Sequence, residues 1–150
     1  MKNLYDAGEL AALKSRIALL HPDSPRHWGT LTVAQALAHC ALGMQMATGE
    51  LRPPRKLIGR ILGPLIKPKV VRDDEPMRRN SPTIPETIAK HDPDFAAEQA
   101  RLLRLLDQFA AAGPQACTTH PHAFFGVMTP DEWAILAYKH LDHHLRQFGV

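Results

Sequence analysis

TPDEWAILAYKHLDHHLRQF, residues 129–148, is the stretch on which the fold turns. Thr129, then Pro130, then Glu132 spell a helix start. The hydroxyl and the carboxylate each satisfy the other's backbone N–H, and proline suits the first helical position. Along the helix that follows, Trp133, Leu136, Ala137, His140, His144 and Phe148 share one stripe by three-and-four spacing. Apart from its two histidines the stripe is apolar, so it is expected to face a core. Tyr138, Lys139, Asp142 and Arg146 fall on the opposite side, which is expected to be wet.

His140 and His144 are therefore predicted to be two imidazoles one turn apart, aimed inward. Cβ atoms at that spacing lie ~5–6 Å apart, which lets two rings converge on one ion. The same spacing serves the HExxH metalloproteases, but here Leu141, Asp142 and His143 intervene and supply no glutamate base. A protease of that type is excluded. On spacing alone the pair reads equally as metal ligands or as hydrogen-bonded core residues. His143, nearer the stripe's edge, is a rival ligand.

Working outward, Thr32 and Gln35 form a second capping box, opening a helix that runs to about Thr48 and stops at Gly49. Between Val33 and Ala47 the clearly polar side chains are Gln35, His39 and Gln45. A helix apolar nearly all round is buried. A buried imidazole left unpaired costs roughly 1–3 kcal/mol, and on spacing alone a carbonyl partner is the simplest remedy for His39. Three core-facing histidines can also satisfy one another through a shared metal, three imidazoles plus an open position being the pattern of a catalytic zinc site. Gln35, one turn before His39, is either a partner of a ligand or part of the cap. Cys40, Met44 and Met46 read as core.

Two more helices complete the pattern. The first is capped by Asp6, carries Leu10, Leu13, Ile17 and Leu20, and stops at His21-Pro22. The other is predicted to start with Asp92 as cap and Pro93 at the first position, and to end at Gly113-Pro114. No segment alternates with a two-residue period and nothing repeats. The expectation is an all-α fold of four helices, with a long Pro-rich, basic excursion over residues 51–90 between the second and third. Within it Leu57 to Leu62 reads as a short helix, and Pro64, Pro68 and their neighbours break the rest.

With 150 residues, 45% hydrophobic and 22% charged, the chain fits one globular domain over residues 1–150 and is not disordered. No run of ~18 apolar residues exists, so no transmembrane helix is expected. Asp6 and Glu9 interrupt any apolar leader. Cys40 and Cys117 form no CxxC motif. A soluble, cytoplasmic, reduced protein is expected. Residues 52–79 hold nine Lys/Arg against Asp73, Asp74 and Glu75, a net +6, while the remainder is 9 minus 12, or −3. Such a cluster can meet nucleic acid, an anionic membrane surface or an acidic substrate. With no aromatic residue interleaved to stack on bases, a solvated loop is the expectation, and nucleic acid is not.

The run His140-Leu141-Asp142-His143-His144-Leu145-Arg146-Gln147-Phe148, with Thr129, Trp133 and the Leu31-Thr32-x-x-Gln35-x-x-x-His39 stretch, resembles the DUF1569 family of the DinB/YfiT-like superfamily. The resemblance covers nearly the whole chain. It implies a four-helix bundle connected up-down-down-up, with a divalent metal held by one histidine on the second helix and an HxxxH pair on the last. Carried over by position, these are His39, His140 and His144. Family members often carry His-Pro-x-Phe-Gly before the last helix. Here it reads His120-Pro121-His122-Ala123-Phe124-Phe125-Gly126, so either His120 or His122 stands in the family's place; both read first as loop histidines in solvent, the alternative being that one approaches the metal's open side as a hydrogen-bond donor or acid/base.

Trp133 is core or a wall of the metal cavity. Imidazole donors point to zinc or nickel first, with iron or manganese as alternatives, and the resemblance further implies a small-molecule substrate. The reaction it implies is transfer with a low-molecular-weight thiol, or metal-assisted hydrolysis, and pairing of bundles into homodimers is also expected. The contrasting reading is a non-catalytic interaction or stress-associated module, its histidine cluster structural and its basic segment the working surface. A third is binding to an anionic surface or nucleic acid through that segment.

Overall fold

In a computed structural model, which describes residues 1–89 and 92–150, the chain is all-helical. Among the described residues five helices follow in order: α1 (Ala7–Ala18), α2 (Val33–Thr48), α3 (Leu57–Val71), α4 (Phe95–Ala112) and α5 (Pro130–Gln147). Two short 3-10 turns, Pro85–Thr87 and Pro114–Ala116, lie between them. There is no strand among the described residues, only an isolated antiparallel bridge between His122 and Gly126.

Both predicted capping boxes form. Thr32 N–H donates to Gln35 Oε1 at 2.9 Å and Gln35 N–H to Thr32 Oγ1 at 3.2 Å. The Thr129 and Glu132 pair repeats this at 2.9 and 3.2 Å. α2 is the central element, packed chiefly on α4 and next on α5, while α1 touches both α4 and α5. Their shared core gathers Leu13, Ile17, Met44, Leu102, Leu106 and Leu141.

Three expectations are corrected. First, the helix within the excursion does not stop at Leu62: α3 runs through Pro64 and Pro68 to Val71. Each proline lacks the N–H that would bond the carbonyl four residues back. Pro64 is exposed, so water can take up the freed carbonyl on that side. Tertiary contacts hold the helix, with Lys56 N–H donating to the Ala123 carbonyl at 2.9 Å and Val71 buried. Lys90, the last residue of the expected excursion, lies outside the described residues.

Second, α4 is capped by Asp94 rather than Asp92, the carboxylate accepting from Ala97 N–H at 2.8 Å. Third, Tyr138 and Lys139 are buried, not wet. Segments distant in sequence cover that side of α5. Lys139 Nζ reaches Asp73 Oδ1 at 2.9 Å and its carbonyl at 3.1 Å. The N-terminal segment lies along the same side, Leu4 N–H donating to the Ala134 carbonyl at 3.3 Å. No helix among the described residues is long and apolar enough to cross a membrane.

Candidate metal centre

α2 and α5 bring His39, His140 and His144 together, one ring nitrogen from each lying within 4.8 Å of the others. The ring centroids form a near-equilateral triangle, with sides of 4.7, 5.0 and 4.8 Å. His39 Nε2 and His140 Nε2 are 2.8 Å apart.

Hydrogen bonds fix which nitrogens carry protons. His39 Nδ1 is 2.8 Å from the Thr87 carbonyl, which can only accept, so Nδ1–H donates and the Nε2 lone pair faces inward. Gln147 donates its Nε2–H to the Trp28 carbonyl at 2.8 Å, which leaves its Oε1 to accept from His144 Nδ1–H, also at 2.8 Å. His144 therefore also turns an Nε2 lone pair inward. The edge of His140 lies against Gly43, one turn beyond His39, where an added Cβ would meet Nδ1 at 3.2 Å. Glycine at this position is what gives the ring its room.

Burial keeps all three rings neutral. It pushes His39 below the usual histidine range, His140 well below it, and His144 down to about 3; the neighbouring imidazoles reinforce the shift at His140 and His144. Neutral imidazole is the ligand form. Two imidazoles on one tetrahedral zinc, with bonds of ~2.0–2.1 Å, place their nitrogens about 3.3 Å apart. The observed separations, from 2.8 to at most 4.8 Å, bracket that value. Donor type, protonation and spacing fit a divalent ion.

The other sequence candidates divide. His143 lies outside the triangle, edge-on to Trp28 at 5.7 Å and to His144 at 5.1 Å. Gln35 is spent in the cap of α2 and holds no ligand. His120 donates Nε2–H to the Pro53 carbonyl at 3.3 Å, away from the triangle. His122 is not a solvent-facing loop residue: its Nδ1 accepts from the N–H groups of Phe124 and Phe125, both at 3.1 Å. Its ring stacks on Phe125 at 4.8 Å and lies 5.3 Å from that of Trp133. Burial, then the Arg55 charge, lowers its pKa to about 4. Trp133 is buried, and its Nε1–H has no partner among the described residues. Cys40 is core, its thiol pushed up by burial.

Sequence reasoning missed Thr87, Gln147 and Gly43. Gln147 and Gly43 carried a signal, lying three residues after His144 and four after His39 on the same helices. Thr87 carried none, because only the folded path of the excursion delivers its carbonyl to α2.

A family model described as a protein of unknown function, DUF1569, matches residues 3–149. No curated protein and no solved structure matches the chain.

Proposed function

Because the chain belongs to the DUF1569 family, a family of unknown function, we propose its role from the site itself: His39, His140 and His144 bind a divalent metal ion, and the protein is a metalloenzyme acting on a small molecule. The observation that carries this reading is the outward anchoring of two of the rings. Thr87 and Gln147 hold the Nδ1–H groups of His39 and His144, as carbonyl and amide partners orient histidine ligands at metal sites. A purely hydrogen-bonded core uses one inward lone pair, His39 Nε2 accepting from His140 Nε2–H, and leaves that of His144 without a partner among the described residues.

The wider reading is a single domain over residues 1–150, with α1, α2, α4 and α5 as a DinB/YfiT-like bundle connected up-down-down-up. It is supported by the mutual packing of those helices and by one histidine on α2 facing an HxxxH pair on α5. Imidazole nitrogen suits zinc and nickel first, with iron and manganese as alternatives, and availability decides among them. A bound ion would supply Lewis acidity and would acidify a water or thiol held against it. The chain's own contribution is to exclude water and fix the rings. His122 and Trp133 supply a buried aromatic wall nearby, and the substrate class consistent with it is a small molecule used with a low-molecular-weight thiol, or one cleaved by water. The free Cys40 and Cys117 fit a reducing cytoplasm.

The test is elemental analysis of untagged protein purified without chelators, beside a His39→Ala, His140→Ala, His144→Ala variant. About one equivalent of metal in the native protein and none in the variant is expected. Native protein that neither retains nor takes up zinc, nickel, iron or manganese would leave the imidazoles as a hydrogen-bonded cluster, which the 2.8 Å His39–His140 contact permits.

A further inference from the structure

α3 is seated with its glycines inward. A Cβ on Gly59 would lie 2.6 Å from the Phe124 Cα, and one on Gly63 would meet the Phe124 carbonyl. At 100° per residue, the side opposite those glycines carries Leu57, Ile58, Ile61 and Leu65, with no charged residue among them until Lys69. Leu57, Ile61 and Leu65 are 77%, 73% and 70% exposed. Side chains on the floor of a groove are shielded by its walls, so exposures this high mark the crest of a ridge. Contiguous apolar surface of this kind marks an interaction site.

The charge around the crest has one sign. No acidic residue lies between Leu57 and Val71. Lys67 is engaged by Glu132 at 2.6 Å. Arg60, Lys69 and Arg72 are exposed and have no ion-pair partner among the described residues.

We propose that α3 docks this protein onto an anionic lipid surface. The crest sits among the acyl chains at the headgroup boundary, and Arg60, Lys69 and Arg72 meet lipid phosphates. An apolar face flanked by Lys and Arg, on a helix of 15 residues that is too short to span, is the pattern of an interfacial helix, and each such cation near an anionic leaflet adds to the attraction. Fluid acyl chains mould themselves to a ridge. A second copy of α3 offers another ridge and more cations, with no carboxylate on either helix to pair them. Nucleic acid would satisfy the cations but leave the crest in water.

The experiment is co-sedimentation of the full chain with vesicles of phosphatidylglycerol and phosphatidylcholine against vesicles of phosphatidylcholine alone. Two variants accompany it, Ile61→Glu/Leu65→Glu on the crest and Arg60→Glu/Lys69→Glu beside it. Both alter exposed side chains, and circular dichroism confirms that each is folded. Expected is binding to the anionic vesicles, at least tenfold weaker to the neutral ones, weakened at least tenfold by either variant and reduced by salt. A native chain that stays in the supernatant, or variants that sediment like the native chain, would overturn the proposal. Light scattering on the same samples separates the alternative: a dimer dissolved by Ile61→Glu/Leu65→Glu, with no vesicle binding, assigns the face to a second copy instead.

Discussion

α2 and α3 break the inside–outside rule in opposite directions. α2, with α5, places three imidazoles in the interior, and α3 places a row of leucines and isoleucines in water. The two departures are built differently. Around the imidazoles, polar groups are supplied: Thr87, from a distant segment, for His39, and Gln147 of α5 itself, braced by the distant Trp28, for His144. Around α3's crest nothing is supplied by the described residues. Its helix has no side-chain cap at Lys56 and contains two prolines, whereas α2 and α5 each begin with a complete capping box. A polar group indoors that is fully provided for is a finished site. An apolar face outdoors that is not provided for awaits something from outside the molecule.

The sharpest way to test that contrast is to shorten one leucine in each setting. Leu106→Ala, in the fully buried core where α4 meets α2, is expected to cost about 2–5 kcal/mol through lost burial and the cavity left behind. Leu65→Ala on the crest is expected to fall within about 0.5 kcal/mol of the native protein. Urea unfolding of both variants measures the difference. A cost above about 1.5 kcal/mol at Leu65 would show that the crest is covered within the protein itself.

Next in size is an acid-dependent loss from His122. Its folded pKa is near 4, below the unfolded value of 6.5. Above pH 6.5 both states are neutral and nothing changes. As pH falls from 6.5 toward 4 the unfolded chain takes up a proton that the folded chain refuses, so stability drops across that window and levels off below it. The difference at pH 5 is about 2 kcal/mol. His122→Asn keeps an acceptor for the Phe124 and Phe125 N–H groups, and its stability is expected to decline less over the same window. Parallel native and variant curves between pH 6.5 and 4 would place the His122 ring in solvent.

Gln147→Ala probes the provision for His144 directly. It strips the acceptor from Nδ1–H and the donor from the Trp28 carbonyl, for about 1–3 kcal/mol of stability if no water replaces them. If the triangle holds metal, affinity falls about 10–100-fold as well. Metal titration of the folded variant reads the second effect separately from the first, and unchanged affinity would mean that Gln147 merely packs.

Much of this was legible in the chain. The starts of α2 and α5 follow from Thr32, Gln35, Thr129 and Glu132, because a capping box is a local bond pattern. The inward aim of His140 and His144 follows from helical period alone. What was illegible is long-range. Asp73 reaches Lys139 across 66 positions and turns a wet-looking face into a covered one. Thr87 finds His39 across 48 positions. α3 was obscured by its own prolines: locally they break helices, and only the fit of Gly59 and Gly63 on the Phe124 backbone shows why one persists.

The smallest expected effect returns to the caps. Thr32→Ala removes the side chain that accepts from Gln35 N–H and leaves only the backbone N–H of residue 32 to bond Gln35 Oε1. The expected cost is about 1 kcal/mol, borne by the helix that carries His39. Lys56→Ala, at the same position of α3, removes no capping bond. It removes an ion pair with Glu86, both of whose side chains are about a third exposed, and pairs of that kind are worth about 0–1 kcal/mol. Thermal unfolding at high salt separates the two, because the cap bond between neutral groups persists while the ion pair is screened. If Lys56→Ala were the costlier change under those conditions, the start of α3 would be more firmly fixed than that of α2. The crest above it would then be a rigid surface, and the contrast between a provided site and an unprovided face would fail at its foundation.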